Sequence, residues 1–105
     1  MNKLLMLLAF LPALALAQGS DVKLTIKDHR FTPSEVRVPA NQKVRLVVAN
    51  EDATPEEFES HALNREKVIA GRSSATIVIG PLKPGRYEFV GEFHEATAKG
   101  VIVAE

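Results

Sequence analysis

The chain contains no cysteine. No disulfide can brace it, no thiolate can hold a metal, and no cysteine is present to carry a lipid anchor. Methionine is nearly as scarce: the two residues are Met1 and Met6, at the very start of the chain. The rest of the sequence therefore offers no soft sulfur ligand, which argues against Cu(I). Net charge is also missing, because thirteen Lys and Arg balance thirteen Asp and Glu. A chain without a basic excess has no bulk attraction for nucleic acid or for an anionic membrane, and neither is expected as a partner. There is no internal repeat, no phosphate-binding glycine loop and no Gly-x-Ser-x-Gly elbow. Ser60 and His61 are adjacent, and neighbours on a strand face opposite ways, so they make no catalytic pair. The chain is not expected to be an enzyme.

Long apolar runs are absent with one exception. Leu4 to Leu16 is apolar apart from Pro12, follows Lys3, and closes on the small residues Ala15 and Ala17. It is shorter than the roughly 20 residues that span a bilayer, and its ending has the A-x-A form of a secretory cleavage site. Residues 1–17 are read as a signal peptide cut after Ala17, residues 18–105 as one exported domain. The expected location is the periplasm, with no membrane span after cleavage. Cleavage removes 17 of the 105 residues and leaves 88, with twelve cations against thirteen acids. A domain of that size buries only about 60% of its unfolded surface, a deficit that many exported modules offset with disulfides or a metal.

What is present is a series of short alternating segments. Val22, Leu24 and Ile26 alternate with Lys23, Thr25 and Lys27, the period of a half-buried strand that ends at Asp28-His29. A second strand is predicted over Val36 to Val38, stopped by Pro39. A third runs from Lys43 to Asn50, apolar on parts of both faces and so central in its sheet. Asn50 to Asn64 reads as a loop holding one short strand around Phe58. Val68-Ile69, then Ala75 to Ile79, then a strand with Tyr87 and Phe89 inward, and finally Gly100 to Val103 complete the pattern. The Ala-rich stretch from His94 to Lys99 predicts one helical turn. Short strands with turn signals at this spacing predict an all-β sandwich or barrel.

The order Phe31-x-Pro33, Val36-x-Val38-Pro39-Ala40, Val44-x-Leu46-Val47-Val48-x-Asn50, Leu82-x-Pro84-Gly85-x-Tyr87-x-Phe89 and Gly100-Val101-Ile102-Val103 resembles the cupredoxin pattern. The resemblance implies a cupredoxin-like Greek-key β-sandwich. Glu57-Phe58-Glu59-Ser60, Arg65-Glu66-Lys67-Val68 and Gly91-Glu92-Phe93-His94 look most like the EfeO-type cupredoxin-like domains found with bacterial periplasmic iron-uptake systems. Those domains carry cysteines near the first and last loops, where this chain has Phe31 and Gly91. In electron-transfer cupredoxins the last strand leads into Cys, then His three residues on, then usually Met before a Gly. Here Gly91 stands at the Cys position, His94 matches the His, and Ala98 falls where the Met would be. The other ligand His would follow the Asn-ended strand, where this chain offers Glu56-Glu57. A type-1 copper site needs its thiolate, so blue-copper chemistry is excluded.

The polar residues leave one candidate site. Glu51, Asp52, Glu56, Glu57 and Glu59 crowd nine positions without a Lys or Arg among them. They form either a solvated acidic loop or, with residues brought from neighbouring loops, a cation site. If Phe58 is a core residue, Glu57 and Glu59 project to the same side and are the best-spaced pair. With the resemblance added, the expected ligands are Glu57, Glu59, Glu66 and His94, followed by Glu56, His61, Glu92 and Glu95. Carboxylates with one or two imidazoles suit iron, zinc, manganese or Cu(II). His29 is read as a turn residue, and Glu66 has the simpler reading of a surface ion pair with Arg65 or Lys67. The resemblance implies a metal-binding accessory of iron or other transition-metal uptake, partnered by an iron permease or another periplasmic transport component. Two rivals stand beside it, a metal-free module docking an exported partner and a type-2 copper electron carrier.

Overall fold

A computed structural model describes residues 21–105; the signal peptide expected over residues 1–17 lies outside them. Alternation fixes which side of each strand is buried. In β1 (Asp21–Lys27) Leu24 and Ile26 are buried, in β4 (Val44–Asn50) Val44, Leu46, Val48 and Asn50, and in β7 (Ser73–Ile79) Ile77 and Ile79. With the short β2 (Arg30–Thr32) these form a sheet in the order β2-β1-β4-β7. The second sheet has the order β3-β9-β8-β5-β6, from β3 (Glu35–Val38), β5 (Glu56–Ser60), β6 (Arg65–Ile69), β8 (Gly85–Gly91) and β9 (Lys99–Ala104). The first sheet pairs β1 with β4 in parallel and the second pairs β3 with β9 in parallel. The chain changes layer at β2–β3, β3–β4, β4–β5, β6–β7 and β7–β8, whereas β1–β2, β5–β6 and β8–β9 are neighbours within a sheet, and the result is a cupredoxin-like sandwich.

Apolar residues from both inner faces meet between the layers. Phe58 and Phe89 stack at 4.9 Å, and Phe31 sets its edge against Phe89 at 4.8 Å. Such aromatic contacts add about 0.5–1.5 kcal/mol beyond area burial. Tyr87 packs partly buried against the core, while Phe93 is exposed at the rim.

Two local expectations change. The helical turn lies at Glu92–His94, as one 3₁₀ turn, and Lys99 is already in β9. Glu56 pins residues 93 and 94 from below, and a bond from Gly91 N–H to the Ala98 carbonyl (2.8 Å) closes the loop early. The apolar pair Val68-Ile69 belongs to a five-residue strand paired along the whole of β5. Four of the five β6 residues face solvent, so its sequence carries no alternation to read.

Candidate functional site

Strand β5 divides its polar residues between two environments. Glu56, Phe58 and Ser60 point inward and Glu57 and Glu59 outward, as a period of two requires. A carboxylate buried without partners is costly, so the surroundings of Glu56, only 1% exposed, must supply donors. They do. Its Oε1 accepts the N–H of Glu57 (3.0 Å) and of Phe93 (2.8 Å), and its Oε2 lies 2.6 Å from His94 Nδ1. A carboxylate only accepts, so Nδ1 carries the proton of this bond and Nε2 is left on the far side of the ring.

His94 is capped from the other sheet. The imidazole of His29 lies flat on it, with ring centroids 3.5 Å apart and planes 8° from parallel. His29 sits in the two-residue β1–β2 turn, where Asp28 and His29 have φ of 53° and 57°. Type I′ turns require this left-handed backbone and ordinarily recruit Asn and Gly for it. Here the turn is clamped by Asp52, whose carboxylate accepts the N–H groups of Asp28 (2.8 Å) and His29 (3.0 Å). Those bonds, that from His29 first, hold the Asp52 carboxyl below its usual range. The Thr97 hydroxyl donates to the His29 carbonyl at 2.6 Å. Asp52 is itself placed by buried Asn50, whose side chain bonds the Asp52 N–H and the carbonyls of Thr54 and Ile69.

The outward residues form a different cluster. Glu59 lies opposite Glu66 in the β5–β6 register, and Glu57 lies opposite Val68. Carboxylate oxygens of Glu57, Glu66 and Glu92 fall within 4.8 Å of one another. Sharing protons with Glu92 and Glu66 and partial desolvation raise Glu57 to about 7. Desolvation and the nearby Glu92 raise Glu59 as well, with His61 opposing. Among the described residues, Glu66 forms no ion pair with Arg65 or Lys67. Arg65 instead donates to the carbonyls of Val78 (3.0 Å) and Asn64 (2.9 Å).

The structure therefore places the eight candidate residues in separate settings. Glu57, Glu66 and Glu92 come together on the outer face, with Glu59 beside them. Glu56 and His94 pair at the end of the sandwich, while His61 and Glu95 are exposed in turns. Sequence reasoning did not single out His29, Asp52 and Thr97 as one assembly. The signal was Asp28-His29 at a hairpin position where a side chain in a left-handed turn needs outside support.

A family model for the cupredoxin-like domain matches residues 3–104. The chain belongs to that family. It is 53% identical over 83 residues to an uncharacterized protein of Rickettsia prowazekii (strain Madrid E). That match covers 79% of this chain and 66%, just under two thirds, of the relative. The fold is similar to that of amicyanin from Paracoccus versutus (TM-score 0.62, 15% identity, 82% of each chain). A purple cupredoxin from Nitrosopumilus maritimus gives 0.63 at 16% identity, covering 81% of this chain and 100% of its own. The metal-binding domain of the Cu(I)-exporting P-type ATPase CopA of Streptococcus pneumoniae gives 0.68 at 14%, covering 81% and 84%.

The residues present do not fit the copper centre usual in this family. The chain has no thiolate, and at Gly91 an added Cβ would meet the Glu56 carboxyl carbon and the Ala98 Cβ at 2.7 Å each. The Glu56 carboxylate occupies the space that a thiol side chain would need.

Proposed function

We infer that this is an exported, metal-binding cupredoxin-like protein of the EfeO type, serving bacterial iron or other transition-metal uptake, with the outer carboxylate face as its cation site. The observation that carries this reading is the convergence of Glu57, Glu66 and Glu92 within 4.8 Å. Like charges so close repel, and a proton shared with Glu92, with partial desolvation and Glu66 beside it, raises Glu57 to about 7. A hard or borderline cation replaces that proton and is neutralised by three carboxylates, the ligand type suited to iron, zinc and manganese. The acidic face also suits short-lived transfer, because its ligands are exposed or half-buried and lie in three separate segments.

Calorimetric titration of the purified protein with Fe(II), citrate-supplied Fe(III), Mn(II), Zn(II) and Cu(II) tests this. Saturable binding of Fe(II), Fe(III) or Mn(II) that disappears in the Glu57→Gln, Glu66→Gln double variant supports it. Saturable binding of none of these ions ends it.

A second reading has its own observation. Val68, 53% exposed, lies opposite Glu57 in the β5–β6 register, and Phe93, 49% exposed, follows Glu92 in the chain. An acidic patch with apolar edges also fits the docking of a basic exported or permease surface. Partner capture in metal-free buffer that is lost on Glu57→Ala with Glu59→Ala would favour docking over cation binding.

A further inference from the structure

We propose that His29 and His94 form a second metal site, distinct from the carboxylate face, which takes a borderline divalent ion of the Zn(II) or Cu(II) kind, and that their stacked arrangement is its ion-free form. Three observations converge on it. The first is the support beneath His94. Imidazoles that ligate metals characteristically donate their other ring N–H to a carboxylate, which fixes the tautomer and raises the basicity of the ligating nitrogen. Glu56 gives His94 that partner at Nδ1, from a position fully shielded from solvent and held by two backbone N–H groups. The nitrogen left to ligate is Nε2, on a side chain 28% exposed and so within reach of an ion.

The second is the effort with which the fold holds His29 in place. Its backbone is left-handed, a conformation that a non-glycine residue occupies at a cost of order 1 kcal/mol or more. It is fixed on both sides, by Asp52 at its N–H and by Thr97 at its carbonyl. Asn or Gly would make the same turn with less strain, so the turn geometry alone does not account for an imidazole there. The third is the chemistry of the pair. Two of the three histidines in the chain, carried by connections within different sheets, lie in ring contact. Two imidazoles suit zinc-like and copper-like ions, whereas the outer face offers carboxylates alone.

Rings stacked within 8° of parallel send their lone pairs along parallel planes, so one ion cannot take both nitrogens in that pose. Binding therefore requires the His29 ring to turn about its Cα–Cβ bond, off the face of His94 and towards Nε2. Its backbone stays clamped. His94 does not move, because Glu56 holds it.

The test is a Zn(II) titration followed by NMR of the histidine ring nitrogens. The expected result is a metal-bound shift at His94 Nε2 and at one ring nitrogen of His29, with His94 Nδ1 still protonated and the ring-current shifts of the stack lost. His29→Asn keeps a residue suited to the left-handed turn and should weaken Zn(II) by about tenfold or more, and Glu56→Gln by about 10–100-fold. Glu57→Gln with Glu66→Gln should leave this Zn(II) site intact. Ligation through His94 Nδ1, Zn(II) affinity unchanged in His29→Asn, or no Zn(II) binding would each overturn the proposal. Loss of Zn(II) only in the carboxylate variant would overturn it while leaving the outer-face reading standing. Retention of Zn(II) at the histidines with no ion on the outer face would do the reverse.

Discussion

Residues 56 and 57 are consecutive, both glutamate, and live in opposite electrostatic settings. Glu56 is enclosed and meets three donors; Glu57 is half-buried and meets two other carboxylates. The same division recurs across the loop, where Glu92 joins the outer cluster and His94 the inner pair. One strand and one 3₁₀ turn thus contribute to both regions, and within the strand the pleat decides which glutamate is enclosed and which faces outward. A buried charge with its partners in place is rigid. An exposed group of like charges has only its own protons and the solvent to relieve its repulsion.

The sharpest way to break this contrast is to truncate each glutamate in turn. Glu56→Ala should cost about 3–5 kcal/mol by urea denaturation, because it leaves His94 and two N–H groups without their partner. Glu57→Ala should leave stability unchanged or raise it at pH 8. Comparable losses at both positions would erase the distinction. Next in size is Gly91→Ala, whose new methyl contacts Glu56 and Ala98 and should destabilise by about 1–3 kcal/mol. Removing the clamp with Asp52→Ala should cost about 1 kcal/mol after allowance for solvent screening, and should change the NMR shifts of His29 and His94 together.

The smallest effect sharpens the contrast through pH. The Glu57 carboxyl is raised from 4.5 to about 7 in the folded chain, so its contribution to stability is complete below its unfolded value and is lost as pH rises through about 7. Thermal midpoints measured between pH 5 and pH 8 should fall in the native protein and flatten in Glu57→Gln. A slope unchanged by that substitution would remove Glu57 as its source. Cation binding to the outer face should release protons below pH 7 and progressively fewer above it, measured as a buffer-dependent enthalpy.

The strands were legible because alternation at Leu24 and Ile26, at Leu46 and Val48, and at Ile77 and Ile79 is the direct imprint of one buried face. β6 was not, since its exposed residues are held by pairing with β5 rather than by burial. The common direction of Glu57 and Glu59 followed from placing Phe58 in the core. The inner assembly was hidden for a different reason. Its members come from β5, the β1–β2 turn, the loop after β4 and the loop before β9, and no spacing rule joins segments that only tertiary packing brings together. Asn50 illustrates the point: a polar residue closing an apolar strand reads as a boundary, whereas it is the post that positions Asp52.

Gly91 and Glu56 constrain one another. A thiol introduced there alone meets the Glu56 carboxylate, and withdrawing that carboxylate alone strands the groups that depend on it. Each single step towards a sulfur-bound copper centre passes through a weakened protein. The two positions are therefore epistatic: a side chain at 91 is tolerated only together with a change at 56, so folding as well as metal chemistry decides which substitutions this end of the sandwich accepts.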